Sequence, residues 1–285
     1  MKVISTVNEL QEELKKLTLA PVGFVPTMGA LHEGHLSLIV AAAEFCPVVV
    51  VSIYVNPTQF NDKNDLRNYP RTPDADMQLL QKVMRSKDIV FTPSDKEIYP
   101  VEDNREFSFG NLDRVMEALH RPGHFNGVAK VVSRLFDIVK PDIAIFGMKD
   151  FQQLAVIREL VRQTGNKVQI IGTPIIREND GLAMSSRNRL LGPGIRENAP
   201  VIFRTLKEAV SMMPIHDLTE IKLHVDNAIN RVPGFSVEYF DIADELELVP
   251  VHARSEMKTG RRYFAFIAVK AGEIRLIDNI EIGLV

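Results

Sequence analysis

Two histidines, His32 and His35, stand three residues apart behind Met28-Gly29, where an apolar run gives way to Leu36, Leu38 and Ile39. Four kinds of chemistry are open to such a pair: ligation of a metal, capping of a helix, an idle surface position, or donation to an anion. A zinc site wants a third ligand, and the pair lacks the i, i+4 spacing of a metalloprotease helix. The position speaks for the anion. A strand end, permissive glycines (Gly29, Gly34) and a new helix N-terminus make a phosphate cradle out of Met28, Gly29, Ala30, Leu31, Glu33 and Gly34. An imidazole N–H in that turn donates to a phosphate oxygen and strengthens as charge builds there.

Five further groups could carry chemistry. Asn56-Pro57-Thr58-Gln59 reads either as a capped turn or as a substrate wall in which Gln59 offers donor and acceptor to a small polar molecule. Gly147-Met148-Lys149-Asp150 follows an apolar run; Asp150 suits a helix cap or a ligand contact, Lys149 is a point charge suited to phosphate, and Gln153 lies one turn further. Met184-Ser185-Ser186-Arg187 sets hydroxyls beside a guanidinium, which suits a pyrophosphate or triphosphate as a mobile clamp, or is an exposed polar loop. Arg121 and His124 either line a pocket or shape a loop. Asp76 is a candidate metal carboxylate, although one carboxylate in a helix is ordinarily solvated. Neither GxxxxGK[ST] nor GxGxxG after the first strand is present, which argues against a P-loop ATPase and a dinucleotide enzyme.

The elements that must hold these groups follow from periodicity. Residues 5–17 read as an amphipathic helix with Ser5 or Thr6 as N-cap; Val22–Pro26 is a buried strand, 35–45 a helix, and Val48–Val55 a strand covered on both faces. Strand, helix, strand is a βαβ unit. The alternation continues: helix 74–86, strand 88–91, helices 111–119 and 127–139, strand 143–146, helix 151–164, strand 168–172. This predicts an α/β, Rossmann-like doubly wound parallel sheet with its motifs beyond the carboxyl ends of the strands. Past about residue 176 the pattern becomes helices 195–212 and 217–230, then strands near 235–242, 262–270 and 273–280, with Ala271-Gly272 as a hairpin signal. The expected division is 1–175 for the Rossmann-like domain and 176–285 for a smaller α+β domain.

Composition bounds the class. The chain has 285 residues, 45% hydrophobic and 25% charged, with a net charge of −3, which disfavours disorder and a nucleic-acid-coating surface. Its one cysteine, Cys46, precludes an intrachain disulfide and lies in an apolar context that predicts burial. No signal peptide or membrane span is visible, so a soluble, cytoplasmic protein is expected.

Together the segments Pro26–Ile39 (PTMGALHEGHLSLI), Val55–Phe60 (VNPTQF), Arg121–Val128 (RPGHFNGV), Gly147–Leu154 (GMKDFQQL) and Asp180–Asn188 (DGLAMSSRN) resemble the pantothenate synthetase (pantoate–β-alanine ligase) family over nearly the whole chain, in the family's order. The resemblance implies condensation of pantoate with β-alanine through a pantoyl adenylate, ATP as substrate with Mg2+ held mainly by its phosphates, and a homodimer. It implies His35, His32, Lys149 and Arg187 in catalysis. ATP would contact Met28 to His35, Gly147 to Asp150, the Ile176 backbone and Met184 to Arg187, with the smaller domain closing over the site. Gln59 and Gln153 would bind pantoate, and Gln59 β-alanine as well. Met148 stands where relatives often carry an acidic residue. The rival readings are a nucleotidyltransferase acting on a phosphorylated precursor, which shares the H-x-G-H pattern, and a non-catalytic nucleotide-binding module.

Overall fold

Val48 to Ser52 are all buried, and a β-branched run this apolar is stable only with both faces covered. The computed structural model, which describes residues 1–17, 21–61 and 63–284, places this run as β3 (Val48–Ile53) inside a six-stranded sheet. The other strands are β1 (Lys2–Ile4), β2 (Val22–Thr27), β4 (Ile89–Phe91), β5 (Ile143–Gly147) and β6 (Gln169–Thr173). Their order is β1-β4-β3-β2-β5-β6, and every pairing is parallel. Alternation along β2 sends its side chains to two layers. Val25 joins Val49, Val51 and Ile145 under Leu36, Ile39 and Ala42 of the Glu33–Phe45 helix. Phe24, on the other face, meets Phe136 of the His124–Val139 helix edge-on at 6.2 Å. The sheet is doubly wound.

The strand order reverses between β2 and β5, and there the ladder is incomplete. β2 pairs with β5 only at Gly23↔Ile143 and Phe24↔Ala144. β2 continues along β3 to Thr27↔Ile53, and β5 along β6 to Gly147↔Thr173. Pro26, which has no N–H to give a ladder, lies in the half that β5 leaves unpaired. The sheet therefore opens at the carboxyl ends of β2 and β5, where ligands of such sheets bind.

The chain divides into two compact units. Met1–Phe109, Arg121–Met148 and Gln153–Pro174 form the first; Gly110–His120, Lys149–Gln152 and Ile175–Val285 form the second. Residues 110–120 and 149–152 thus group away from the rest of 1–175. Their bonds explain why: the Gln152 amide donates to the Leu112 and Val115 carbonyls, and Glu117 takes both ends of the Arg275 guanidinium at 2.7 and 2.8 Å.

The second unit carries β7 (Phe235–Asp244), β8 (Pro250–Val251), β9 (Arg262–Ala271) and β10 (Ile274–Leu284) in the antiparallel order β10-β9-β7-β8. Ile221, Val225 and Ile229 recur every fourth residue on the Leu218–Asn230 helix and pack with Leu206, Phe240, Ile242 and Ile267. Gly272, at φ +60°, turns the β9–β10 hairpin.

Several expected elements are revised. The span 111–119 is not one helix but a 3-10 turn (Gly110–Asp113) and a single helical turn (Glu117–His120), separated by Met116 at φ +43°. The span 195–212 is two helices, Pro193–Asn198 and Val201–Met212, because Pro200 cannot donate into a continuous ladder. Strands β1 and β8 carry no periodic signal and exist through pairing alone. Cys46 is buried as expected, and burial pushes its thiol up. Among the described residues no helix is long and apolar enough to cross a membrane.

Candidate active site

In the first unit the turn after β2 is built by a side chain that sequence reasoning assigns elsewhere. Asp76 is not a solvated helix carboxylate: it is 1% exposed. Its Oδ2 accepts from the Ala30 N–H at 2.9 Å, and its Oδ1 from the Leu31 N–H at 2.8 Å and the Thr72 hydroxyl at 3.0 Å. With three donors on its two oxygens, the carboxylate supports the loop. The N–H groups of Ala30 and Leu31 are thereby committed to Asp76. These bonds hold Gly29 (φ +78°) and Ala30 (φ +49°) left-handed, a conformation costing a non-glycine residue roughly 1–2 kcal/mol. A Cβ on Gly29 would lie 3.1 Å from both Asp76 Oδ2 and Ile53 Cγ2.

The turn delivers His32 as N-cap and His35 as third residue of the Glu33–Phe45 helix, both rings half-buried, with centroids 4.1 Å apart. The His32 backbone N–H donates to His35 Nδ1 at 3.3 Å. In the neutral ring Nδ1 is then the acceptor and the proton sits on Nε2, from which it can be offered to a ligand. The groups of this turn suited to an anion are the imidazole side chains and the N–H groups heading the helix.

Gln59 is brought to the same turn. Its amide nitrogen lies 2.8 Å from Met28 Sδ, a weak acceptor that a carboxylate or hydroxyl would outcompete. Gln59 is 8% exposed and is fixed from behind by residues whose roles the sequence left open. His124 Nδ1 bonds the Gln59 carbonyl at 2.8 Å; it buttresses the wall through the backbone. Asn56, 1% exposed, donates to the Gly127 carbonyl at 3.2 Å and accepts from the hydroxyls of Thr58 and Tyr99, each at 3.1 Å. Gly127 is required by contact: a Cβ there would stand 2.3 Å from the Thr58 oxygen and 2.8 Å from Gln59 Cα, both backbone. Gly127→Ala is expected to cost about 1–3 kcal/mol in urea unfolding. In an assay of the folded variant it should raise KM for the molecule Gln59 binds several-fold more than KM for the nucleotide.

Gly147 and Met148, both half-buried, end β5 and begin a 3-10 turn, Met148–Asp150. Gln153 is half-buried in the first turn of the Phe151–Thr164 helix; its neighbour Gln152, at 4% exposure, spends its side chain on backbone.

In the second unit, Lys149 Nζ stands 3.6 Å from Asp150 Oδ2, with the Lys149 side chain 19% and the Asp150 side chain 50% exposed. Asn279 holds the Lys149 carbonyl at 3.1 Å, and Phe151 packs on Phe264 and Phe266 at 4.6 and 5.4 Å. Residues 176–188 are tied rather than an exposed polar loop. The Met184 N–H donates to the Ile176 carbonyl at 3.0 Å, which ties the two ends of the loop together. Gly181, at φ +96°, turns the hairpin; the Asn188 amide donates to Glu178 at 2.7 Å and to the Ala183 carbonyl at 3.1 Å. Ser185 caps the following 3-10 turn by accepting from the Arg187 N–H at 3.3 Å, Ser186 is buried, and Arg187 is half-buried. The described residues include no cluster of three or more His, Cys, Asp or Glu suited to a metal.

The family model described as pantoate-beta-alanine ligase matches residues 2–281. The chain belongs to the pantoate–β-alanine ligase family. Pantothenate synthetase of Bacteroides thetaiotaomicron is 51% identical over 283 residues, 99% of each chain, and that of Phocaeicola vulgatus is 51% identical over 284. Among solved structures, pantothenate synthetase of Thermus thermophilus superposes with a TM-score of 0.90 at 40% identity, covering 99% of both chains. Pantoate-beta-alanine ligase of Francisella tularensis, solved with beta-gamma ATP and beta-alanine, gives 0.79 at 33% identity over 99% of this chain and 98% of that one. Membership in this ligase family agrees with the Rossmann-like sheet and the small antiparallel domain.

The supporting roles that the sequence did not reveal are those of Asp76 as loop holder and of Asn56 and His124 behind Gln59 in the first unit, and of Gln152 and Asn279 in the second. Asn56 and His124 lie inside the motifs that resemble the family and carried a signal. Asp76 and Asn279 lie outside any.

Proposed function

We propose that this chain condenses pantoate with β-alanine at the expense of ATP through pantoyl adenylate. A pantoate carboxylate oxygen attacks the α-phosphorus and pyrophosphate leaves; the deprotonated amine of β-alanine then attacks the acyl carbon and AMP leaves. One observation carries the reading beyond a generic nucleotide site: in the first unit the glutamine wall meets the histidine turn, through Gln59 against Met28. A small acid held by Gln59, with Gln153 as a second contact, lies next to histidines suited to a phosphate.

In this reading His35 donates from Nε2 to the α-phosphate as charge grows on it, with His32 beside it. Lys149 and Arg187 neutralise the departing pyrophosphate, Ser185 and Ser186 give short donors, and Asp150 takes the ribose side. Met28 to Gly34, Gly147, Met148, Ile176 and Met184 line the nucleotide. Gln59 also orients β-alanine. The metal is part of the substrate: Mg2+ enters bound to the ATP phosphates and water. The protein supplies alignment and charge neutralisation, with no covalent enzyme nucleophile. The homodimer and the cytoplasmic location implied by the family belong to the same proposal.

The test measures pyrophosphate and AMP release with pantoate and β-alanine supplied separately and then together. Exchange of labelled pyrophosphate into ATP should require pantoate alone, and net AMP release should require both. Absence of pantoate-dependent exchange would favour a nucleotidyltransferase acting on a phosphorylated precursor.

A further inference from the structure

β10 is an edge strand, and its sequence Leu276-Ile277-Asp278-Asn279-Ile280 places two polar side chains in an apolar run. Both are 4% exposed. Buried polar groups are tolerated when bonded, so what bonds them is informative. Asp278 faces the Arg177 guanidinium end-on, Oδ2 to Nη1 at 2.6 Å and Oδ1 to Nη2 at 2.9 Å. Arg177 opens the hairpin that leads to Ser185–Arg187. It also donates to the Gly181 carbonyl and the Asn279 carbonyl, each at 3.2 Å, and stacks on Phe203 at 3.6 Å from the ring centroid. Asn279 turns to the other segment: its amide donates to the Lys149 carbonyl at 3.1 Å, while its own N–H donates to Asp278 Oδ1 at 2.8 Å. Burial pushes the Asp278 carboxyl up, and the Arg177 fork opposes it.

The geometry points to Asp278 and Asn279 as positioning residues for adenylation: one dipeptide on β10 sets the Lys149 turn and the Ser185–Arg187 loop relative to each other. These segments lie far apart in the chain, and both carry the phosphate-binding roles assigned above, on which this inference rests. Both β10 side chains are buried and bonded to protein groups. Asn279 acts through the Lys149 backbone, and Asp278 acts through Arg177. A phosphate clamp made of two segments works only if their spacing is held, and small misplacement of aligned groups is costly in rate.

The two half-reactions separate this role from a merely structural one. Pantoate-dependent ATP–pyrophosphate exchange needs the clamp, whereas acyl transfer from pre-formed pantoyl adenylate to β-alanine has no pyrophosphate to hold. Asn279→Ala is expected to lower kcat/KM for ATP in exchange by about 10- to 100-fold and to leave acyl transfer within about twofold of the parent. In a Lys149→Ala background the same substitution should add almost nothing. Asn279→Asp, nearly isosteric but presenting an acceptor to the Lys149 carbonyl, should repeat the pattern and carries the test if the alanine variant does not fold. Equal losses in both half-reactions, or a full additive loss on top of Lys149→Ala, would overturn the inference. A slow Lys149→Ala with a normal Asn279→Ala overturns it alone. A normal Lys149→Ala overturns the assignment of Lys149 and this inference with it.

Discussion

His35→Ala is expected to slow single-turnover formation of pantoyl adenylate by about 10²–10³-fold, the usual loss for one well-aimed donor at a developing charge. The structure gives the reason for this residue in particular. Asp76 occupies the N–H groups of Ala30 and Leu31, and in the proposed role the His35 imidazole is the donor that the turn after β2 offers to the α-phosphate. The His32 N–H on Nδ1 directs the His35 proton to Nε2. His35→Gln separates donation from proton transfer: a glutamine amide presents a neutral N–H with reach similar to Nε2 and should retain more activity than alanine. The ring is half-buried and its bond to the His32 N–H is long, so the melting temperature should hardly move. Near-parental adenylate formation by His35→Ala in rapid-quench measurements would remove the histidine from the mechanism.

Lys149→Ala should lose adenylation on the same scale, about 10²–10³-fold, with acyl transfer from pre-formed pantoyl adenylate little changed. The Lys149 side chain is 19% exposed, and its ammonium lies 3.6 Å from the Asp150 carboxylate. Its placement rests on backbone rather than on that ion pair: Asn279 on its carbonyl, and Phe151 and Gln152 two and three residues along, held by rings and carbonyls. Removing the ammonium should therefore leave the turn in place. Lys149→Arg keeps the charge but replaces a compact ammonium with a planar fork, and should recover only part of the rate. A mutant equally slow in both half-reactions would mean that the turn, and not the charge, had been lost.

What was legible in the sequence was local. The Val48–Ser52 run, the helical repeat of 127–139 and the strand at 143–146 each state their environment within a few residues, because burial of both faces or one face leaves a pattern of fixed period. The chemistry-bearing motifs follow strands, so a parallel sheet places them at its carboxyl edge whatever the details of packing. Local signals also misled where the backbone turned against propensity, as at Met116 with φ +43° and at Pro200.

The sequence by itself thus determined the fold class and the family, and singled out His35, Lys149, Gln59 and the Ser185–Arg187 loop as the side chains proposed to carry the chemistry. Only the tertiary structure decided what holds them. Asp76 reaches 45 residues back to Leu31, Asn56 reaches 71 residues to Gly127, and Asn279 reaches 130 residues to Lys149. A buried polar side chain must find a partner, but nothing in its neighbours along the chain says where that partner is. The pairing is set when strands and helices pack, and so the supports of the site become readable only once the chain has folded.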